Sequence, residues 1–502
     1  MKPSERSDAE FEAWKSKEIF SEDTQNRIRN SLSLARKEVD SLNLEISLLR
    51  STKQTPPNKL LADLAKKTEE IEVLQGAISP LKKIPHEILC EFFLYSDDTM
   101  SLLKIPHRRM RAFPWALAQV CSHWRDILWG IPGVWENIRI WDDVQDAEIP
   151  AVVDIFQTIL ARSGVQISLT APHNDQLFTK LVLPNLNRLK GLEMVVDRDS
   201  FRTLFELPGG SVDSLISINF HFGSGALPYL KSNSFKTSPN LRKVTLTNNL
   251  GVRDWPNRLW CLPWAQLTDI ALPTSLIHTT FLHGILGECI CLRTATLVIG
   301  MGGSDYFDRG VIVPKLESLV LYRTDLALNW EAFLRPLILP SLRSILVPDA
   351  QTWNQAEFTS LVVRSACPLK SIHLAYYRGT THDLYSFLER VPSLCKLILP
   401  WLHIPDSVFK AIHQRKILPI LGHLECIVDP SGLNAVLDLI ESYISENSSA
   451  ENPHVGINLG RLVFSSDEED FDNPLKDPLK RYYRLDPIFR ENGRDINVIT
   501  SL

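Results

Sequence analysis

Residue types that could perform catalysis or bind a metal are present, but they follow no pattern typical of an active site. The eight cysteines form no CxxC pair, and the 13 histidines are scattered without ligand spacing. The segment Gly300-Met301-Gly302-Gly303-Ser304 lacks the Lys-Ser/Thr of a phosphate-binding P-loop and does not fit GxGxxG. No GxSxG or HExxH motif occurs. We therefore expect no enzyme activity, no metal site and no cofactor, and we interpret the cysteines as buried apolar residues in a reducing compartment.

The composition favours a globular protein inside the cell. Apolar residues make up 44% of the chain and charged residues 23%. The net charge of −5 argues against a protein that binds nucleic-acid phosphates. There is no apolar stretch of about 18 residues that could span a membrane, and the polar N-terminal segment does not resemble a secretory signal. We expect a cytoplasmic or nuclear location, or both, with no nucleic-acid or membrane partner.

A heptad pattern follows an N-terminal tail, residues 1–23, that we expect to be disordered. Segment 24–78 carries apolar residues at alternating spacings of four and three, Ile28, Leu32, Ala35, Val39, Leu42, Ile46 and Leu49. Pro56-Pro57 ends this helix, and a second run follows in which Lys67 interrupts the apolar seam. Two interpretations remain open: an intramolecular helical hairpin, or a coiled coil that forms a homodimer.

The residue pattern of segment 79–134 predicts a short helical module. Its first helix opens with Ile84-Pro85-x-Glu87-Ile88-Leu89-x-x-Phe92-Phe93, where Pro85 suits the first turn. A second amphipathic helix is predicted from about Trp115 to Trp129, containing Val120-Cys121-Ser122-x-Trp124-Arg125-x-Ile127. The motif Pro132-x-x-Trp135 follows it.

Taken together, these three motifs resemble the F-box domain, in the form common in basidiomycete fungal F-box proteins. The resemblance covers about 60 residues, and the basic stretch between Tyr95 and Pro114 is longer than in a compact F-box. It implies docking onto a Skp-type adaptor and, through the adaptor, onto a cullin–RING ubiquitin ligase. The residues that it assigns to the adaptor interface or the module's core are Pro85, Ile88, Leu89, Phe92, Val120 and Trp124. Sequence alone does not divide them between the two roles.

The rest of the chain repeats the pattern apolar-x-x-apolar-x-apolar. Successive copies from Leu189 to Leu394 are 26, 26, 26, 25, 24, 26, 27 and 25 residues apart, within the range of leucine-rich repeats. Helix-like runs separate the copies, so we predict an α/β leucine-rich-repeat-like solenoid over residues 135–464. Residues 465–502 are predicted to form an acidic loop, with Asp467-Glu468-Glu469-Asp470, and a C-terminal cap or tail.

Alternation along each predicted strand indicates which side chains face solvent. We expect the candidate target-binding residues to be Lys243, Thr245, Ser318, Tyr322, His373 and Lys396. As a set, the solvent-facing positions are neutral to slightly apolar, which suits a protein or peptide better than a phosphate-rich ligand.

The predicted fold class is therefore mixed: an N-terminal α-helical hairpin or coiled coil and an α-helical F-box, followed by the α/β solenoid. The predicted function is a substrate-recognition adaptor of an SCF-type cullin–RING ubiquitin ligase, in which the F-box binds the Skp-type adaptor and the repeats bind a protein target. The alternative is an interaction scaffold that uses the same modules outside any ligase. The sequence does not identify the target.

Overall fold

The structure is a computed structural model of the chain, and it describes most residues between 20 and 465. The described ranges are 20–52, 55–80, 84–95, 101–103, 115–140, 144–163, 166–222, 234–248, 262–273, 279–299, 310–323, 330–351, 353–428, 434–439, 441, 458–459, 462–465 and 498–501. The predicted tail before residue 20, the glycine-rich segment 300–304 and the acidic run 467–472 lie outside the described residues. Two compact units are distinguished: residues 1–137 with 158–164, and residues 138–157 with 165–502.

The first unit begins with two helices, α1 (Glu22–Ser51) and α2 (Asn58–Ala77). The Ser21 side chain caps α1 by accepting a hydrogen bond from the Thr24 N–H, and two acidic residues occupy the first turn, where the helix dipole favours them. The two helices pack through a cluster of buried side chains, Ile28, Leu32, Ala35, Leu74 and Ala77. The heptad seam of α1 is therefore covered from within the same chain.

Among its described residues, the remainder of the first unit includes three short helices and one strand. These are α3 (His86–Tyr95), β1 (Ser101–Leu103), α4 (Trp115–Ala118) and α5 (Ser122–Gly130), followed by a 3-10 turn at Pro132–Trp135. The predicted continuous helix from Trp115 to Trp129 is thus wrong. It is divided at Cys121, which has extended backbone angles and caps α5 by accepting the Trp124 N–H with its sulfur.

The second unit is built on a parallel sheet. Twelve strands, from β3 to β16 with β9 and β11 omitted, lie side by side in chain order, and every neighbouring pair is parallel. The strands of the chain after β1 are β2 (Asn137–Ile140), β3 (Ile167–Ala171), β4 (Leu189–Val196), β5 (Ser217–Phe222), β6 (Lys243–Asn248), β7 (Asp269–Leu272), β8 (Thr294–Ile299), β9 (Val311–Ile312), β10 (Ser318–Arg323), β11 (Leu337–Ile338), β12 (Ser344–Val347), β13 (Ser371–Leu374), β14 (Lys396–Ile404), β15 (His423–Val428), β16 (Asn458–Leu459), β17 (Leu462–Ser465) and β18 (Val498–Ser501). The pairs β9–β11 and β17–β18 form two small parallel sheets of their own.

Helices occupy many of the segments between strands. They are α6 (Ile149–Ser163), α7 (Asp175–Leu177), α8 (Leu183–Asn185), α9 (Arg198–Phe205), α10 (Thr279–Glu288), α11 (Trp330–Leu334), α12 (Gln355–Ser365), α13 (Thr381–Leu388) and α14 (Asp406–His413). A π-helical turn, Phe178–Val182, joins α7 to α8. Among the described residues, none of the helices combines the length and apolar character needed to cross a membrane.

Burial alternates along the strands, so the sheet has one covered face and one open face. Ile167, Leu169 and Ala171 of β3 are buried while the residues between them are partly exposed. The same alternation appears in β5, β7, β12 and β13. The covered face supplies the core of the second unit, and the open face presents polar side chains.

The predicted fold class is wrong. We expected an all-helical front module followed by a leucine-rich-repeat-like solenoid, whereas the structure is an α/β fold with a twelve-stranded parallel sheet and shows no closed solenoid among the described residues. Segment 79–134 also includes the strand β1, so it is not entirely helical. The repeat period measures the length of a strand plus its return segment. It predicts parallel neighbours, but it does not determine the architecture into which they stack.

Candidate functional site

The helix α3 is apolar on both of its sides. Leu89 and Phe93 are 1% and 0% exposed and pack inward, while Ile88, Phe92 and Tyr95 are 57%, 51% and 84% exposed. The three exposed residues are four and three positions apart, so they share one side of the helix. We call these three residues the α3 apolar face.

An aromatic cluster on the buried side of α3 packs against this face. The ring of Trp124, on α5, lies with its centroid 5.1 Å from that of Phe93 and 6.3 Å from that of Phe92. Trp124 is itself 7% exposed. Aromatic pairs at such centroid separations attract one another beyond their buried area, so Phe92 is held in place although half of it faces solvent.

A second aromatic contact lies at the end of α5. The indole N–H of Trp135 donates a hydrogen bond of 2.8 Å to the Leu128 carbonyl, and its ring stacks on Trp129 at 4.3 Å. The buried polar group of Trp135 is thereby satisfied, and the Pro132-x-x-Trp135 motif has a packing role.

The structure divides the six residues predicted for adaptor docking into two groups. Leu89 and Trp124 are core residues. Pro85, Ile88, Phe92 and Val120 are exposed, and the Pro85 carbonyl accepts the Leu89 N–H at the start of α3. Val120, 46% exposed, lies in the turn between α4 and α5. Tyr95 is the most exposed residue of the face, and the sequence analysis did not select it.

On the open face of the sheet, the first residue of each strand is polar over nine consecutive strands. The parallel register aligns these residues, which we call the polar row: Ser217, Lys243, Asp269, Thr294, Ser318, Ser344, Ser371, Lys396 and His423. Its members neighbour one another across strands spaced about 4.8 Å apart.

The six residues predicted for target binding all contribute to this face but do not converge. Lys243, Ser318 and Lys396 belong to the polar row, while Thr245 and His373 lie two positions further along their strands. Tyr322, 39% exposed, lies near the end of β10. Six strand spacings of about 4.8 Å separate Lys243 from Lys396, so the two are about 29 Å apart and cannot line one small pocket.

Two histidines lie near Lys396 on this face, and the same influences act on both. Burial lowers the pKa of His373; Glu425 acts to raise it and Lys396 to lower it. Burial also lowers the pKa of His423, with Lys396 adding to the effect and Glu425 opposing it. The Nε2 atom of His423 is buried and has no hydrogen-bond partner in the described part of the chain.

Basic residues directly before the strands are a feature that the sequence analysis missed. Arg242, Arg293, Arg343 and Lys370 each follow a fully buried leucine that opens a repeat. The signal was available in the second position of each apolar-x-x-apolar-x-apolar copy. The sequence analysis missed it because it considered only the alternate strand positions that were expected to face solvent.

One group of side chains in the second unit could hold a metal ion. His173, Asp175 and Asp197 place ligand atoms within 4.8 Å of one another, with His173 Nε2 3.4 Å from Asp197 Oδ2. Burial acts to raise the pKa of Asp197, but hydrogen bonds from Ser200 and the interaction with His173 outweigh it and lower the pKa. Asp197 caps α9 by accepting the Ser200 N–H at 2.8 Å, and this explains its position without an ion. We assign no metal to the group.

Three buried cysteines are poor nucleophiles. Burial raises the pKa of the Cys289, Cys367 and Cys426 thiols. They are therefore protonated at neutral pH, and the thiol form does not attack substrates or bind metals readily.

No protein-family model matches the chain, and no curated protein is significantly similar to it.

Proposed function

We propose that the protein is a non-catalytic substrate-recognition adaptor of an SCF-type cullin–RING ubiquitin ligase. In this proposal the α3 apolar face binds a Skp-type adaptor, and the open face of the parallel sheet binds a protein target. The protein acts in the cytoplasm or the nucleus, and the ubiquitin-transfer chemistry belongs to its partners.

The observation that supports adaptor docking best is the exposure of the α3 apolar face. A ten-residue helix leaves Ile88, Phe92 and Tyr95 largely uncovered while Leu89 and Phe93 fill the core beneath them. Burying one such side chain contributes about 1.5–3 kcal/mol, so leaving three uncovered on one side is typical of an interaction surface. The face carries the residues on which the F-box resemblance rests, Ile88 and Phe92 among them.

Affinity purification of the full chain with two charged substitutions tests this proposal. We expect Ile88→Asp with Phe92→Asp to reduce recovery of the Skp-type adaptor by at least about tenfold, because two carboxylates would have to be desolvated at the interface. Leu34→Asp with Leu44→Asp is the matched control, since these leucines of α1 are 58% and 62% exposed. The control should retain wild-type recovery. Undiminished binding by the α3 variant would refute docking through this face.

Leu89→Asp is not a suitable test of docking. Leu89 is 1% exposed, so a carboxylate there would be buried without a partner and would destabilise the fold of the module. Any loss of adaptor binding would then report unfolding of the module.

An interaction scaffold outside any ligase is the second proposal, and the same α3 surface supports it equally. The two proposals differ in whether other ligase subunits are bound through the adaptor. Recovery of cullin and RING subunits together with the adaptor supports the ligase role, whereas recovery of the adaptor without them supports the scaffold.

A further inference from the structure

Three basic residues lie at the starts of three neighbouring strands of the sheet. The Arg343 carbonyl accepts the N–H groups of Lys370 and Ser371 at 2.7 and 2.9 Å. The Lys370 carbonyl in turn accepts the N–H groups of Cys395 and Lys396, both at 2.8 Å. Arg343 and Lys370 therefore stand level with each other directly before β12 and β13. On the next strand, Cys395 is level with them and Lys396 lies one position further along, in register with Ser371. We call Arg343, Lys370 and Lys396 the basic triad.

The triad is exposed and its side chains are unpaired among the described residues. All three side chains are exposed, and within the described ranges none of them makes an ion pair or a side-chain hydrogen bond. Two acidic residues flank the triad: the Glu317 carbonyl accepts the Arg343 N–H at 2.8 Å, and Glu425 acts together with Lys396 on the pKa of His373 and His423. The Glu317 carboxylate pairs with Arg293, whose Nη1 lies 3.5 Å away. The chain as a whole has a net charge of −5, so three neighbouring cations without an ion pair among the described residues contrast with its overall charge.

The spacing of the triad suits an extended acidic segment. Neighbouring strands are about 4.8 Å apart, so the three cations span about 10 Å at the backbone. An extended peptide directs every second side chain to the same side at intervals of about 7 Å, which brings two of its carboxylates within reach of three long, mobile cationic side chains. The flanking residues Ser344, Ser371 and His423 of the polar row supply further hydrogen-bonding groups.

We propose that the basic triad is the docking site for an extended, carboxylate-rich segment of a target protein. The inference rests on the proposed function, to which it adds the chemistry of the target. Arg343 and Lys370 bind carboxylates at the N-terminal edge of the strands, and Lys396 binds a third group on the open face. The remainder of the polar row is largely uncharged and contributes hydrogen bonds.

Fluorescence anisotropy with a labelled decaglutamate peptide and the full chain tests this proposal. At about 50 mM salt, where screening is weak, we expect the peptide to bind and a decaglutamine peptide not to bind. Reversing the triad, Arg343→Glu with Lys370→Glu and Lys396→Glu, should weaken decaglutamate binding by at least about tenfold. Neutralising it with Gln at the same three positions should weaken binding by a smaller factor, and this variant adds no acidic side chains that could impair folding.

The matched control reverses three other exposed cations of the second unit, Lys180, Arg198 and Arg202, and so changes the net charge by the same amount. It should weaken decaglutamate binding by less than about twofold. Equal losses in the two triple variants would show that only net charge matters and would overturn the site. Absence of decaglutamate binding by the wild-type chain would also overturn it.

The chain's own acidic run is the competing occupant. Neutralising it with Asp467→Asn, Glu468→Gln, Glu469→Gln and Asp470→Asn should leave decaglutamate affinity unchanged. An increase of about tenfold or more would identify that run as the occupant and overturn the assignment to a target. Adaptor recovery by the triad variant, measured as above, separates the two proposals, because loss of the acidic-peptide site leaves α3 docking intact and the reverse also holds.

Discussion

The imidazoles of His373 and His423 lie close to Lys396 on the open face of the sheet, where burial and charge act on them together. Burial is the largest influence and lowers the pKa of both. The neutral form is therefore favoured when the chain is folded. As the pH falls from the ordinary histidine pKa toward the lowered values, the unfolded chain binds protons first, so these two residues make folding less favourable at acidic pH.

Substitution of the two charged neighbours should shift these titrations in opposite directions. Lys396→Gln removes a positive charge, and we expect the pKa of both His373 and His423 to rise. Glu425→Gln removes a negative charge, and we expect both pKa values to fall. An NMR pH titration of the imidazole C–H signals measures the shifts, with Lys180→Gln as a control on a different part of the unit. Shifts of the same sign in the two variants would contradict the assigned geometry.

At the scale of elements, the pair α1 and α2 shows what a heptad pattern predicts and what it leaves open. The heptad spacing correctly selected Ile28, Leu32, Ala35 and Ile46, which are buried. It did not indicate which surface would cover them, because an apolar seam packs equally well against a helix of its own chain or of another copy. Lys67, which interrupts the second seam, is accommodated by ion pairs of 2.7 Å with Glu38 and 2.9 Å with Glu70.

Removing one large side chain from this pair should destabilise it locally. Leu74 is fully buried, so Leu74→Ala leaves a cavity, and we expect a loss of about 2–3 kcal/mol in the opening free energy of the helical pair. Hydrogen exchange of the α1 and α2 amides in the full chain measures this. Leu61→Ala, at a position 40% exposed, is the matched control and should cost less than about 0.5 kcal/mol. Equal protection in the two variants would show that Leu74 is not part of a packed core.

At the scale of the whole molecule, the regular period of the chain predicted the order and direction of neighbouring strands but not the fold class. Each copy carries its strand at the same place, so Leu319, Ile345 and Ile372 follow one another in register. The architecture depends on the segments between strands, and the helices in these segments vary from the 15 residues of α6 to the three of α7. A pattern of apolar spacing carries no information on how such unequal segments pack. Lys396 was selected from the sequence, but Arg343 and Lys370 were overlooked because solvent-facing charge does not affect the period.

The association state of the full chain depends on which of its apolar surfaces are already buried within the chain. A homodimer through the heptads would need Ile28 and Leu32, but both are already buried against α2, so dimer formation would require the helical pair to open. We expect sedimentation velocity at micromolar concentration to give the monomer mass of 57.0 kDa. Leu44 and Leu48 of α1, 62% and 59% exposed, form the alternative apolar surface. A species of about twice the monomer mass that disappears in the Leu44→Glu, Leu48→Glu variant would contradict the expectation and assign dimerisation to that outer surface.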